Sequence, residues 1–230
     1  MKALILAGGY GKRLRPLTEN LPKPLLEVAG KPILFWQIDF FKRHGVNEVV
    51  LAVGYLKEKV IERVGSGEKL GVKAIYVVED EPLGTGGAIK NAEPVLKGEE
   101  KFLVSNGDVI TNLDASKLCQ ALTDDLVAVM ALVPLPSPYG IVITEGNIVK
   151  EFKEKPKLTD YWINAGIYCM KPKIFDYLPT SGDIEKTAFP KLAKEGKLGA
   201  VKFPDAFWKS IDSHKDLEEA NKILSEISLF

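Results

Sequence analysis

The sequence has little cysteine, little histidine and no excess charge of either sign, and each shortage argues against a class of protein. Its 230 residues include 2 cysteines and 2 histidines, and its 31 basic residues balance 31 acidic ones. Cys119 and Cys169 form no C-x-x-C pair, so a disulfide framework or a cysteine-rich metal site is not expected. Nucleic-acid-binding domains usually carry a basic excess, so a formal net charge of zero disfavours nucleic acid as a partner.

Long apolar runs are lacking as well. The apolar stretch from Ala3 to Ala7 ends at Gly8, too early for a signal peptide, and no window is long enough to span a bilayer. We therefore expect a cytoplasmic protein that has no membrane partner. The composition, 46% apolar and 27% charged residues, is typical of a globular domain with a sizeable core.

Strand-like and helix-like segments alternate over the first 133 residues. Short apolar strands are predicted at 2–7, 48–54, 72–78, 101–108 and 126–133, with helices between them. Repeated β-α-β units of this kind give a mostly parallel sheet with helices on both faces.

This rhythm changes in the second half of the chain. The pattern there predicts a hairpin turning at Glu145-Gly146, a strand at 162–170, a helix at 183–196 with Asp183 as its N-cap, a strand at 198–203 and a closing helix at 214–229. We predict one α/β domain over residues 1–230, with a doubly wound half at 1–133 and a more antiparallel half at 134–230 that covers one side.

A glycine turn at 8–11 follows the first strand, at the carboxyl end where open α/β sheets bind ligands. The P-loop pattern fails because Gly11-Lys12 is followed by Arg13, and the dinucleotide fingerprint fails because Leu14 replaces its third glycine. Glycines let backbone N–H groups approach phosphate oxygens, and Arg13 and Lys23 can neutralise a polyphosphate. On these residues alone, a solvated basic loop is an equally good interpretation.

A longer series of motifs is more specific. It runs in order through LAGGYGKRLRPLT, PKPLL, VAGKPI, EDEPLGTGGAI, SNGDVI, VKEFKEKP, INAGIY and FWKSID. This series resembles the sugar-1-phosphate nucleotidylyltransferases and covers nearly the whole chain. The resemblance implies a Rossmann-like α/β/α sandwich with a mostly parallel central sheet and a more antiparallel sugar-binding second half. It also implies that a sugar-1-phosphate oxygen attacks the α-phosphorus of a nucleoside triphosphate and releases pyrophosphate, which needs no general base.

The resemblance assigns catalytic roles to Arg13 and Lys23, on a loop that we expect to be exposed and to face the ligand. It implies a Mg²⁺ cofactor held by Asp108 and Asp212. Here the sequence departs from the family's common W-x-D-x-G pattern, because Ser210 stands where the acid is expected and Asp212 lies four residues after Trp208. The cytidylyltransferase branch has the later acid, so we expect Asp212 to be the ligand. The alternatives are Ser210 in that place, or Asp212 as the N-cap of the last helix.

The resemblance also implies two sets of substrate contacts. Those to the nucleotide are Ala7, Gly8, Gly9, Gly11, Glu79, Leu83, Gly84 and Thr85. Those to the sugar phosphate are Tyr139, Gly140, Glu154, Lys155, Asn164 and Gly166. Without the resemblance, Glu154 and Lys155 would be interpreted as an exposed strand end.

Glu79 decides which base is expected. An ionised carboxylate only accepts hydrogen bonds, and guanine presents two adjacent donors where uracil and thymine present one. GTP with mannose 1-phosphate is therefore slightly preferred. The alternatives are a glucose-1-phosphate uridylyl-, thymidylyl- or cytidylyltransferase, or a catalytically weak subunit that senses nucleotide sugars. The expected partners are a nucleoside triphosphate and a sugar 1-phosphate, and a homo-oligomer is left open. Because no hexapeptide repeats are present, we do not expect the left-handed β-helix of many relatives.

Overall fold

A seven-stranded sheet is the centre of the computed structural model, which describes residues 1–226 and 229. The strands of the described chain are β1 (Lys2–Ala7), β2 (Glu27–Val28), β3 (Lys31–Pro32), β4 (Glu48–Val53), β5 (Lys73–Val78), β6 (Phe102–Asn106), β7 (Val109–Thr111), β8 (Ala128–Pro136), β9 (Ile141–Glu145), β10 (Ile148–Lys153), β11 (Lys157–Met170), β12 (Leu198–Lys202) and β13 (Trp208–Ser210). The large sheet has the order β12-β8-β11-β6-β1-β4-β5. Among the strands of this sheet in the described chain, only β11 runs antiparallel to its neighbours, which are β6 and β8. The predicted mostly parallel sheet is confirmed.

Helices cover both faces of this sheet. They are α1 (Ile33–Arg43), α2 (Lys57–Val64), α3 (Gly84–Asn91), α4 (Glu93–Leu96), α5 (Ser116–Ala121), α6 (Ala188–Lys194) and α7 (His214–Glu226). The core of one face includes Phe41 of α1, Val60 of α2 and Leu118 of α5. The core of the other includes Ile89 of α3, Leu96 of α4 and Leu192 of α6. The predicted α/β/α sandwich is therefore confirmed.

The central strand shows why the sequence is a continuous apolar run there. Ile5 of β1 packs in the core on one face and Leu4 in the core on the other, and both are fully buried. A strand covered on both faces has no polar side to alternate with. A third, smaller core lies around α7, where Ile211 and Leu224 pack with Leu14 from the loop after β1.

The second half differs from the prediction in its details. The helix expected at 183–196 begins as a 3-10 turn, Ile184–Lys186, and becomes α-helical only from Ala188. Asp183 stands at the N-cap position of this 3-10 turn, as predicted, but its side chain makes no capping bond there and instead pairs with Lys186 at 2.7 Å. The hairpin of β9 and β10 is confirmed. The closing helix is confirmed as α7, and the parts of that prediction at 227 and 228 lie outside the described residues.

No helix within residues 1–226 and 229 is both long and apolar enough to cross a membrane. The carboxyl ends of the parallel strands β1, β4, β5 and β6 meet at one edge of the sheet. That edge carries the loops described next.

Candidate active site

The loop after β1 is fixed at several points. Gly11 adopts a left-handed conformation (φ 60°), and a short 3-10 turn at Lys12–Leu14 follows it. Thr18 Oγ1 donates a hydrogen bond of 2.9 Å to the Gly11 carbonyl oxygen. Leu14 is 1% exposed and anchors the turn in the core around α7. The backbone that carries Arg13 is therefore fixed in place, because the neighbouring Leu14 anchors the loop in the core.

A tight turn after β6 carries Asp108. A Cβ atom at Gly107 would collide with the backbone oxygen of Leu6, so only glycine fits between these two strands. The backbone oxygen of Asp108 accepts a 2.9 Å hydrogen bond from Ile211 N. Just beyond the turn, β7 pairs with β13 in antiparallel register, with Val109 opposite Ser210. This pairing brings the FWKSID segment beside Asp108.

Asp212 follows β13 directly, and its neighbours orient it. Ser210 Oγ donates to Asp212 Oδ2 at 2.7 Å, and the Asp212 backbone N–H donates to Asp216 Oδ2 at 3.2 Å. Ser213 Oγ accepts the Asp216 N–H at 3.2 Å, which makes Ser213 the N-cap of α7. The alternative of Asp212 as N-cap is therefore wrong. Ser210 supports the carboxylate, and Asp212 is the acid that faces the cluster.

Two acids and two bases converge at this edge of the sheet. Lys23 Nζ lies 2.7 Å from Asp108 Oδ2 and 3.0 Å from Asp212 Oδ1, and Arg13 lies 2.7 Å from Asp212 Oδ1. The Arg13 side chain is 74% exposed, as expected of a ligand-facing loop, whereas that of Lys23 is only 14% exposed. The expected exposed position is thus wrong for Lys23, because the two carboxylates draw its ammonium inward.

The environment sets the ionisation of both acids. Burial opposes ionisation of Asp212, but the hydrogen bond from Ser210 and the positive charge of Lys23 outweigh it and lower its pKa. Burial raises the pKa of Asp108, and Lys23 offsets only part of that rise. Arg13 adds a further charge that lowers the pKa of Asp212.

The number and the placement of these two carboxylates fit a magnesium ion. They converge on one point, which is held in this structure by the Lys23 ammonium, itself a cation. No cluster of three or more His, Cys, Asp and Glu side chains with metal-binding placement occurs in residues 1–226 and 229. Magnesium in phosphoryl-transfer sites usually takes one or two carboxylates and fills its remaining positions with water and substrate phosphates. A pair of acids is therefore a sufficient protein contribution.

A cleft of about 330 Å³ opens beside this cluster. Among the residues that line it are Ala7, Gly9, Gly11, Arg13, Lys23, Asp108 and Asp212. An adjoining cleft of about 280 Å³ shares Gly9, Gly107 and Asp108 with the first. Its lining also includes Gly8, Glu79, Gly84 and Thr85. The phosphate-facing residues and most of the nucleotide-facing residues predicted from the sequence thus surround one continuous depression.

Glu79 faces the second cleft. It is 8% exposed, and Glu79 Oε2 accepts a hydrogen bond of 3.2 Å from the Leu83 backbone N–H. Both carboxylate oxygens lie close to Gly8, on the wall of the cleft. Burial raises the pKa of Glu79, and the hydrogen bond from Leu83 offsets part of that rise. Its neighbour Asp80 is instead 90% exposed and pairs with Lys57.

The glycines of the GTGG segment pack against a second loop. Gly86 N and Gly87 N both donate to Gly182 O, at 2.9 and 3.1 Å, so these two N–H groups are already paired within the protein. Thr85 Oγ1 donates to Glu185 at 2.6 Å. Asp183, in the same loop, lies on the wall of the second cleft, and the sequence analysis missed this position because it assigned Asp183 only as a helix cap.

The predicted sugar-phosphate residues fall into two groups. Asn164 Oδ1 accepts the Gly166 N–H at 2.9 Å, and Gly166 packs closely against Asn106, beside the Asp108 turn. The other four, Tyr139, Gly140, Glu154 and Lys155, belong to the hairpin region. Tyr139 is 76% exposed, Glu154 and Lys155 pair with each other at 3.0 Å, and Gly140 lies against Glu154. None of the six, Asn164 and Gly166 included, is among the described residues that line the two clefts.

Comparison with known proteins agrees with this geometry. Residues 2–226 match the family model described as nucleotidyl transferase. The chain belongs to this family. Among similar curated proteins, mannose-1-phosphate guanyltransferase of Saccharomyces cerevisiae is 40% identical, and the catalytic subunit beta of mannose-1-phosphate guanylyltransferase of Danio rerio is 41% identical. Each alignment covers 94% of this chain and 62% of the relative, so the nucleotidyl transferase domain spans less than two thirds of these relatives.

Solved structures of the same family share the fold. HddC from Yersinia pseudotuberculosis superposes with a TM-score of 0.78 at 30% identity, covering 97% of this chain and 99% of that one. The same protein in complex with GMP-PN superposes with a TM-score of 0.76 at 29% identity. Nucleotidyl transferases of this family generally use a divalent metal ion.

Proposed function

We propose that this nucleotidyl transferase domain joins GTP and mannose 1-phosphate to give GDP-mannose and pyrophosphate. The observation that carries the proposal is the cluster of Arg13, Lys23, Asp108 and Asp212 beside the cleft that contains Glu79. Relatives at about 40% identity bear the name of mannose-1-phosphate guanylyltransferases, which supports the choice of both substrates. The finer division of labour, with nucleotide held by residues 1–133 and sugar phosphate by 134–230, is part of the proposal.

The chemistry asks for charge and alignment more than for proton transfer. The attacking phosphate oxygen is already an anion, so the protein must hold it in line with the α-phosphorus and stabilise the charge that develops. Arg13 can bind phosphate oxygens through its guanidinium fork from the exposed loop. Lys23, between the acids, is placed to contact phosphates of both substrates.

We propose Mg²⁺ as the divalent ion, held by Asp108 and Asp212. When bound, it would neutralise negative charge on the triphosphate and pyrophosphate oxygens. Ser210 keeps the Asp212 carboxylate oriented, and Ile211 N fixes the backbone of Asp108. In this arrangement Lys23 would exchange some of its contacts with the acids for contacts with phosphate.

Glu79 supports guanine over the other bases. One of its oxygens accepts the Leu83 N–H, which leaves Oε1 and the second lone pair of Oε2 for the ligand. A base edge with two donors, such as that of guanine, satisfies both acceptors. Uracil or thymine would set a carbonyl oxygen against one of them, and a buried polar atom left unpaired costs about 1–3 kcal/mol.

The proposed contacts to the sugar rest more on the sequence resemblance to the family than on the geometry of the site. We propose that Asn164 and Gly166, next to the Asp108 turn, contact the sugar, and that Glu154 and Lys155 reach it from the hairpin with Tyr139 and Gly140. Support for the first pair is the close packing of Gly166 against Asn106 and the 2.8 Å hydrogen bond from Trp208 Nε1 to the backbone oxygen of Ala165, which lies between them.

The test is pyrophosphate release by the purified chain with each of the five common nucleoside triphosphates, combined with mannose 1-phosphate or glucose 1-phosphate. GTP with mannose 1-phosphate should give the highest kcat/KM. Glu79→Gln should shift the GTP/UTP ratio toward UTP by roughly tenfold to a hundredfold, because an amide can donate as well as accept. Asp80→Asn, at the exposed neighbouring position, is the matched control. A wild-type preference for UTP or dTTP, or no release with any pair, would contradict the proposal.

A further inference from the structure

A buried glutamine is bonded to the turn that carries Asp108. Gln37 lies on α1 and is 3% exposed. Its Nε2 donates to the backbone oxygen of Asn106 at 2.6 Å and to that of Val109 at 3.0 Å. These two oxygens lie on either side of Gly107-Asp108, so a single amide group bridges the two ends of the turn.

We infer that Gln37 is a positioning residue for Asp108. Its amide joins the last residue of β6 to the first of β7, and so fixes how the turn between them is directed. Lys23 holds the same residue by its carboxylate and Ile211 by its backbone oxygen, both from other elements. Gln37 ties the turn by hydrogen bonds to α1, whose apolar side chains pack in the core on one face of the sheet. The role of Asp108 as a metal ligand rests on the proposed function, whereas the hydrogen bonds that Gln37 makes to the turn do not.

A role in packing alone would favour a different residue. Gln37 Oε1 is buried and receives no hydrogen bond from the described residues. Burying an unpaired amide oxygen is unfavourable, and an apolar side chain of similar volume would avoid it. Neighbours of Gln37 on α1, such as Ile38 and Phe41, are apolar and fully or almost fully buried. A glutamine at this position therefore fits a need for its two donors.

The first test uses Gln37→Met, which keeps the length of the side chain and removes both donors. Partners that orient a metal-binding residue typically affect metal affinity or activity roughly 10- to 100-fold when mutated. We expect kcat to fall and the half-saturating Mg²⁺ concentration to rise by that order, with KM for mannose 1-phosphate changed much less. Ile38→Val, the next residue on the same helix, is the control for simple loss of packing.

A second readout does not need turnover. Hydrogen–deuterium exchange of the amides at 106–109 should become at least about tenfold faster in Gln37→Met, through local opening, while α1 and β6 keep their protection. Unchanged exchange at the turn would overturn the inference. So would a variant that loses stability like Ile38→Val while keeping wild-type kcat and Mg²⁺ requirement. If the wild type releases no pyrophosphate, the proposed function fails, and the exchange measurement still decides the inference.

Gln37→Glu gives a further test should the methionine variant fail to fold. A carboxylate faces the two backbone oxygens unfavourably, whereas a protonated carboxyl can donate to one of them. Activity relative to wild type should therefore rise at least about threefold as the pH falls from about 8 to about 6, since burial favours the neutral acid. A ratio that does not change with pH would overturn the inference.

Discussion

Replacing Lys23 by methionine tests the charge cluster most directly. The change keeps most of the side-chain volume but removes the ammonium that lies 2.7 Å from Asp108 and 3.0 Å from Asp212. Among the ion pairs of the described residues, the one from Arg13 to Asp212 is then the only one left to either carboxylate. We expect both the unfolding free energy and the turnover to fall.

The size of each effect can be worked from the structure. Removing one partner of a fully buried ion pair costs about 3–5 kcal/mol. The Asp108 and Asp212 side chains are 26% and 30% exposed, so water screens part of their charge, and we expect a loss of about 2–3 kcal/mol. Turnover should fall by roughly a hundredfold or more, because losing a preorganised charge contact adds about 3 kcal/mol to the barrier.

The stability loss should depend on pH. Burial raises the pKa of Asp108, and Lys23 partly offsets the rise, so the methionine variant should have a still higher pKa there. A carboxyl whose pKa is raised in the folded state is tolerated when protonated and destabilises the fold as the pH rises through that pKa. The difference between variant and wild type should therefore be larger at pH 8 than at pH 5.5.

Urea denaturation in EDTA measures these differences without metal. Asp108→Asn in the Lys23→Met background should recover part of the lost stability, because it removes one of the two facing charges. Lys12→Met, on the exposed loop nearby, is the control. A Lys23→Met variant as stable as wild type at pH 8, or no recovery in the double variant, would refute this account of the cluster.

Three further outcomes are expected at the same edge of the sheet. Arg13→Ala should cut kcat/KM by roughly a hundredfold or more, yet leave urea unfolding nearly unchanged because the side chain is 74% exposed; near-normal turnover would end its phosphate-binding role. Asp212→Asn should raise the half-saturating Mg²⁺ concentration by tenfold or more, whereas the control Asp205→Asn, at an exposed position, should leave it unchanged. If both variants need the same Mg²⁺ concentration, Asp212 is not a ligand. Gly107→Ala should lower the unfolding free energy by about 1–3 kcal/mol, since its Cβ collides with the Leu6 oxygen, and wild-type stability would show that the turn yields easily.

The sequence predicts the sheet well because its strands are covered on both sides. An apolar run such as β1 or β4 can be recognised without knowing its neighbours, and the glycines that end it mark the carboxyl edge. The prediction was less complete for β11, which begins at Lys157 although only 162–170 was expected. Its first five residues, 157–161, are mostly polar, and all but Leu158 are exposed, so they give no continuous apolar signal.

The candidate site was harder to predict in its contacts than in its members. Most of the motif residues that we expect to bind phosphate come together, but the burial of Lys23 depends on two acids that are 85 and 189 residues away in sequence. The short pairing of β7 with β13 brings those acids together, and a three-residue strand leaves almost no pattern. Gln37 gave no signal either, because a single polar residue in an amphipathic helix resembles an ordinary surface position.

Features that cost stability are concentrated where the strands end. Lys23 and its two acids form a partly buried group of charges, and replacing such a whole group by apolar side chains of similar volume is often neutral or stabilising. Gln37 buries an unpaired oxygen beneath the Asp108 turn, and Glu79 buries a carboxylate whose pKa is raised. By contrast, the core around Ile5 consists of buried apolar side chains that pack against one another. These features occur together at one edge of the sheet, as expected if that edge binds phosphates as proposed, because such a site keeps its charges partly desolvated and oriented before any ligand arrives.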